Sequence, residues 1–197
     1  MSVVNLVSGG LDSTLIAVMM LEEGIEQFPL FIDYGQRAAK QEWETCQAVY
    51  SRHGLPSPVR MDLSGYGAVI STGLTRESLD IRTNAFTPGR NLMFLLMGAA
   101  YAHQVKANSI ALGLLSEKFS LFPDQRADFL AKAESTLTAA LGHSIKIVTP
   151  LFEFSKADVV KLAKQKDISG TYSCHAGSGT PCGSCISCME FSNISRS

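Results

Sequence analysis

The chain has 197 residues, 46% of them hydrophobic, and a formal net charge of −1. That supply of apolar side chains fills one substantial core, so one main domain with a small appendage is expected, and the near-neutral charge gives no broad basic surface for non-specific nucleic-acid binding. No apolar run is long enough to span a bilayer, and residues 1–7 lack the charged and apolar regions of a signal peptide. The expectation is a cytoplasmic protein with reduced thiols, no membrane and no direct nucleic-acid partner.

Residues 3–7 (VVNLV) form a short β-branched run, and residues 12–23 follow with Leu15, Ile16, Met19 and Met20 at helical spacing. Between them lie two glycines, which makes a strand, a glycine turn and a helix. Residues 28–35 (FPLFIDYG) read as a second strand, 38–53 as a second helix closed by Gly54, and 59–63 as a third strand. Residues 64–90 are rich in Gly, Ser and Thr with no sustained period, and a connection of that length is usually functional or mobile. The pattern resumes with a helix at 91–104, a strand at 109–114 and a helix at 124–141 carrying Phe129, Leu130, Ala133 and Leu137 in register. A fifth strand at 145–148 is stopped by Pro150, and Ser155 caps a helix running through Val159, Leu162 and Ala163. Five strands alternating with helices imply a doubly wound parallel α/β sheet, whose ligands sit at the carboxyl ends of the strands. From Gly170 the composition turns to Ser, Gly and Cys, so residues 1–169 are expected to form the α/β domain and 170–197 a small C-terminal module.

The turn after the first strand is Ser8-Gly9-Gly10-Leu11-Asp12-Ser13-Thr14. No Gly-Lys-Ser/Thr follows, so it is not a Walker loop, and it does not fit G-x-G-x-x-G. It matches Ser-Gly-Gly-x-Asp-Ser, the PP-loop of the ATP pyrophosphatases. Gly9 and Gly10 permit close backbone approach, Ser8, Ser13 and Thr14 offer hydroxyls to pyrophosphate oxygens, and Asp12 is an oxygen ligand suited to Mg²⁺. A plain Gly-Gly turn with an Asp and Ser cap is the alternative.

Four of the five cysteines, Cys174, Cys182, Cys185 and Cys188, have the spacing C-x7-C-x2-C-x2-C. Close x2 spacing lets thiolates on a turn face one tetrahedral Zn²⁺, and four thiolates leave no open position, so the site is structural. An iron–sulfur cluster uses similar spacing. His175 is an alternative ligand, although its adjacency to Cys174 in sequence is expected to point it elsewhere, and Cys46 reads as a buried thiol.

These residues together resemble the 7-cyano-7-deazaguanine synthase (QueC) family within the PP-loop ATP pyrophosphatase superfamily. The resemblance runs through "LVSGGLDST", "DYGQR" at 33–37, "LTRESLDI" at 74–81, "TPGRN" at 87–91, "FPDQR" at 122–126, "SKADVVKLA" at 155–163 and the cysteine tail. It implies an adenine nucleotide alpha-hydrolase-like fold and a C–N ligase that turns 7-carboxy-7-deazaguanine and ammonia into the nitrile through adenylated intermediates, with ATP, Mg²⁺ and Zn²⁺ as cofactors and a homodimer as the assembly. Arg37, Arg90 and Lys156 become candidate cations for the phosphates, Arg90 and Lys156 acting with Asp12 and Ser13 in catalysis. Lys118, Phe122, Asp124 and Arg126 become candidates for the substrate loop; alternatively, Asp124 caps the next helix. No covalent nucleophile is required, because the substrate supplies the carboxylate.

The chain departs from the family pattern at Ala38, where His is usual, around Lys118, and after Cys188, where Met189-Glu190-Phe191 replaces a Leu-Arg step. These departures keep open a related ligase that stops at the amide or joins the adenylated deazaguanine to another amine, on a protein for instance. A tRNA thiolase of the PP-loop class and a non-catalytic ATP-binding module are the other competitors. The former needs a nucleic-acid surface that the charge does not suggest, and the latter is opposed by Asp12, Ser13 and Lys156.

Overall fold

The computed structural model describes residues 2–194; Met1 and residues 195–197, the ends of the two expected segments, lie outside the described residues. β1 (Ser2–Val7) is buried along both faces, as suits a central parallel strand. Val3 and Val7 pack with Leu15, Ile16 and Phe31 on one side, while Val4 and Leu6 pack with Leu95 and Ile110 on the other. The period-2 alternation of a strand thus feeds two apolar layers.

The chain then forms α1 (Leu11–Glu22), β2 (Glu26–Asp33), α2 (Ala39–Arg52), β3 (Val59–Asp62), α3 (Gly65–Val69), α4 (Arg90–Val105), β4 (Ser109–Ala111), α5 (Ala127–Leu141), β5 (Lys146–Val148), α6 (Lys156–Gln165) and α7 (Ile186–Ile194). All neighbouring strands are parallel, in the order β3-β2-β1-β4-β5. The chain steps outward from β1 to β3 and returns beside β1 as β4, which places the topological switch point between β1 and β4. The loop that follows β1 therefore opens at the crevice where such sheets bind ligands. This is the five-stranded α/β architecture the sequence implies, and among the described residues no helix is long and apolar enough to cross a membrane.

Three local differences have physical causes. β4 ends at Ala111 because the chain turns there: the Leu112 N–H still donates to the Val148 carbonyl, but the Leu114 N–H bonds back to the Leu112 carbonyl at 3.0 Å, and Gly113 passes close beside Asp12 and Ser13. The helix expected from residue 124 starts at Ala127, since Pro123–Gln125 forms a 3-10 turn and Arg126, not Asp124, is its N-cap. Residues 64–90 contain α3 and turns tied by buried hydroxyls, Thr75 Oγ1 donating to the Ile70 carbonyl at 2.7 Å and Thr72 meeting Thr87 at 3.1 Å. Leu74 and Ile81 of that segment pack with Cys174 and Cys185 in a third, smaller cluster. α7, which the sequence pattern did not suggest, packs on α6.

Candidate functional site

A cavity of about 340 Å³ opens above the turn between β1 and α1, bordered there by Ser8, Gly10, Leu11, Asp12 and Ser13. Hydroxyls knit the turn: the Ser8 N–H donates to Ser13 Oγ, the Gly10 N–H to Ser8 Oγ, and the Ser13 hydroxyl to the Gly10 carbonyl, each at 3.3 Å. Gly9 has φ +73°, and a Cβ there would stand 2.7 Å from both the Glu42 carbonyl oxygen and the Cys46 backbone nitrogen. Only glycine lets the turn lie against α2 in that conformation. The turn and the N-terminus of α1 offer backbone N–H groups and a positive dipole end to an anion, the arrangement that holds phosphates. Thr14, also expected at the nucleotide, is fully buried, does not border the cavity, and its hydroxyl has no partner among the described residues.

The three expected cations separate. Lys156, the first residue of α6, reaches into the cavity and donates to Asp12 Oδ1 at 2.7 Å and Oδ2 at 2.9 Å. Its Nζ lies 4.0 Å from Glu190 and 4.9 Å above the Phe191 ring, both on α7. A capping box between Ser155 and Asp158 fixes the start of α6 and so the origin of this side chain. Arg90, the first residue of α4, borders the cavity beside the paired Tyr34 and Phe94 rings, 5.8 and 5.9 Å from their centroids. One of its terminal nitrogens donates to the Tyr34 hydroxyl at 3.4 Å, while its Nε has no protein partner. Arg37 does not border the cavity; its guanidinium donates to the Gly73 carbonyl at 3.3 Å and its N–H to the Leu74 carbonyl at 2.8 Å, so it fastens the 64–90 segment.

The substrate-loop residues divide in the same way. Phe122 borders the cavity and meets Phe86 with ring centroids 5.2 Å apart. Lys118 and Arg126 are exposed and Asp124 presents its backbone carbonyl to Asn91 Nδ2 at 2.9 Å, none of the three bordering the cavity. The loop is shaped by Gln125, whose Oε1 accepts the N–H groups of Leu121 and Phe122 at 2.9 and 3.0 Å. Ala38 is buried under Gly177, away from the cavity wall.

Cys174, Cys182, Cys185 and Cys188 bring their sulfurs within 4.8 Å of one another. Backbone N–H groups of Cys182, Cys185 and Cys188 donate to the sulfurs of Cys174, Cys182 and Cys185, each at 3.4 Å, which favours thiolates. Four such sulfurs, with no carboxylate or imidazole in the group, fit a closed tetrahedral metal site. His175 is not in this group and faces the cavity, where burial pushes its pKa down to about 4. The segment ahead of the cysteines is tied to the phosphate loop, the Tyr172 N–H donating to the Gly9 carbonyl at 3.0 Å. Cys46 lies buried in α2, its thiol pushed up to about 12 by desolvation.

Several cavity residues were not expected there from the sequence: Tyr34, Gln36 and Glu42, together with His175, read only as an alternative metal ligand, and Glu190, read only as a departure after Cys188. Glu42 had a signal. It shares a helical face with the buried Cys46 and Tyr50 at i, i+4 and i+8 spacing, which puts a carboxyl on the apolar side of α2. Burial raises its pKa to about 7 against the lowering effect of a Gln36 hydrogen bond and of Arg90.

A phosphate loop at the switch point of a parallel sheet, faced by a lysine from a second helix N-terminus, defines an ATP-using enzyme of the PP-loop class. A family profile described as "Queuosine biosynthesis protein QueC" matches residues 2–193. Among curated proteins, the 7-cyano-7-deazaguanine synthase of Parasynechococcus marenigrum is 36% identical, covering 94% of this chain and 88% of that protein. The synthase of Campylobacter concisus is 32% identical over 93% and 88%, and that of Picrophilus torridus 34% over 93% and 82%. The chain belongs to the QueC family, and with it to ligase-type enzymes. Solved structures share the fold at low identity: the U34-tRNA thiolase NcsA from Methanococcus maripaludis, with its [4Fe-4S] cluster, has a TM-score of 0.56 at 15% identity, covering 99% of this chain and 64% of that one. A predicted tRNA methyltransferase subunit from Methanocaldococcus jannaschii has a TM-score of 0.54 at 19%, covering 83% and 74%.

Proposed function

We propose that the enzyme converts 7-carboxy-7-deazaguanine and ammonia to 7-cyano-7-deazaguanine, using ATP twice and releasing AMP and pyrophosphate. Family membership along residues 2–193 supports the substrate class. The observation that carries the chemistry is the meeting of Asp12 and Lys156 in one cavity with Arg90. ATP's phosphates would lie on the Ser8–Ser13 turn, and the substrate ring beside Phe122. Lys156 and Arg90 then meet the negative charge that grows as the carboxylate attacks the α-phosphorus and pyrophosphate departs. Ammonia displaces AMP to give the amide, and a second adenylation at the amide oxygen lets AMP leave as the nitrile forms. The protein's part is positioning and charge neutralisation, with no covalent intermediate on a side chain.

Asp12 is the carboxylate that would hold Mg²⁺ alongside the substrate phosphates, and the ion would supply neutralising charge for the departing pyrophosphate. Zn²⁺ suits the four thiolates and supplies folding energy. The same reading has a cytoplasmic enzyme that uses ammonia, with a homodimer as the assembly that the family resemblance implies.

A second reading, a ligase that stops at the amide or uses another amine, keeps one support. Lys118 and Ala38 lie off the cavity wall, whereas Glu190, one of the departures after Cys188, borders it. Mass spectrometry of products from 7-carboxy-7-deazaguanine, ATP and ammonium tests both: a nitrile mass is expected, and an amide that persists after several turnovers refutes the first reading in favour of the second.

A further inference from the structure

The cavity wall holds a carboxyl group that the binding of ATP and a carboxylate substrate does not explain. Glu42 stands in the first turn of α2, whose backbone touches the phosphate loop at Gly9, and its side chain borders the cavity. One of its oxygens accepts a hydrogen bond from Gln36 Nε2 at 2.8 Å, and Gln36 Oε1 in turn accepts the Tyr34 N–H at 2.9 Å. The carboxyl is thus fixed by a neutral amide, and it forms no ion pair among the described residues. Asp12, by contrast, is neutralised by Lys156. A cavity that receives a polyphosphate and a carboxylate gains nothing from a further negative charge, unless a cation enters as well. Mg²⁺ falls to Asp12 in the reading above, and the remaining cation is the amine, which at neutral pH arrives protonated.

We propose that Glu42 binds the ammonium ion and takes its proton, so that ammonia is released beside the adenylated carboxylate. The proposal rests on the adenylation reading above. One N–H bond of ammonium breaks and its proton goes to the Glu42 carboxylate. The freed lone pair forms the C–N bond, and the C–O bond to AMP breaks with its electrons going to the phosphate oxygen. The nitrogen sheds its second proton to solvent as the amide forms, and Glu42 returns its proton to water before the next ammonium binds. The groups around the carboxyl suit this: Arg90 from α4 favours the anion and Asp33 at the end of β2 disfavours it, while Tyr34 just after β2, Cys46 on α2 and Tyr172 from the segment before the cysteines are acids that the Glu42 charge holds protonated. Desolvation sets the balance near neutrality, where a carboxyl exchanges protons most effectively.

The test uses Glu42→Gln in the full chain, since Gln keeps the shape and an acceptor for Gln36. Three rates are compared with wild type: 7-carboxy-7-deazaguanine-dependent exchange of pyrophosphate into ATP, amide plus nitrile formation from ammonium, and hydroxamate formation from hydroxylamine, an amine that is mostly uncharged at neutral pH. Expected are retained exchange, a loss of about 10²-fold with ammonium, and hydroxamate formation close to the wild-type rate. Ammonium-dependent turnover equal to wild type overturns the proposal, and so does equal loss with hydroxylamine, which marks a structural role. Absence of exchange in the wild type instead removes the adenylation reading, and the proposal with it.

Discussion

Gly9→Ala tests the seat of the phosphate loop, and Gly142→Ala is its built-in reference. Both glycines have nearly the same φ, +73° and +74°, so alanine carries a similar left-handed cost at each, about 1 kcal/mol. They differ in space. Nothing lies within 4 Å of a Cβ at Gly142, the C-cap of α5, whereas a Cβ at Gly9 meets two backbone atoms of α2 at 2.7 Å. Backbone atoms cannot swing aside as a side chain does, so forcing the loop and α2 apart adds about 2 kcal/mol. For a chain of this size the expected fall in Tm is then about 2–4 °C for Gly142→Ala and about 6–12 °C for Gly9→Ala. Calorimetric melts measure the difference, and AMP release follows the consequence for the loop, with Gly9→Ala expected to lose activity and Gly142→Ala to keep it. Equal Tm shifts would refute the close approach of loop and helix.

Lys156→Met should lower AMP and pyrophosphate formation by about 10²–10³-fold while the circular dichroism spectrum is unchanged; an active variant removes Lys156 from the chemistry. Cys185→Ser should release one zinc per chain by elemental analysis and expose the C-terminal segment to proteolysis, because metal binding is coupled to folding; wild-type protein without zinc, or with iron absorption bands, refutes the zinc site. The pKa of Glu42, raised from 4.5 to about 7, fixes a pH window. Its contribution is fully present below the unfolded pKa and lost as pH rises through 7, so urea midpoints of wild type relative to Glu42→Gln should fall between pH 5 and pH 8, by about 3 kcal/mol in free energy. A difference that is flat with pH contradicts the burial of this carboxyl.

What the sequence disclosed was mainly what is local in it. The strand-turn-helix around Ser8–Ser13 and the cysteine spacing are short patterns whose geometry depends on neighbours in the chain, so both were legible. The cavity wall was harder to read because it is assembled at long range. Lys156 meets Asp12 across 144 positions. Arg37 and Lys118 look like phosphate or substrate contacts by type, yet a backbone carbonyl holds the one and solvent surrounds the other. β4 was overestimated because Leu112 and Leu114 stay buried while the chain turns back on itself after the Leu112 bond to Val148, and burial in such a turn has the same sequence pattern as a strand. α7 was missed because it follows directly on the cysteine run, its Ser187, Ser192 and Asn193 carry little helical signal, and its position comes from packing on α6.

The hydrogen bond from Tyr172 to Gly9 has a consequence for synthesis on the ribosome. The phosphate loop is among the first parts of the chain to emerge, but the partner of its Gly9 carbonyl lies 163 positions later, in the stretch that the four thiolates fasten. Ser173, His175, Ser187 and Glu190 of that late stretch also border the cavity. A nascent chain therefore carries an unfinished cavity until residues 172–190 have left the exit tunnel and closed it.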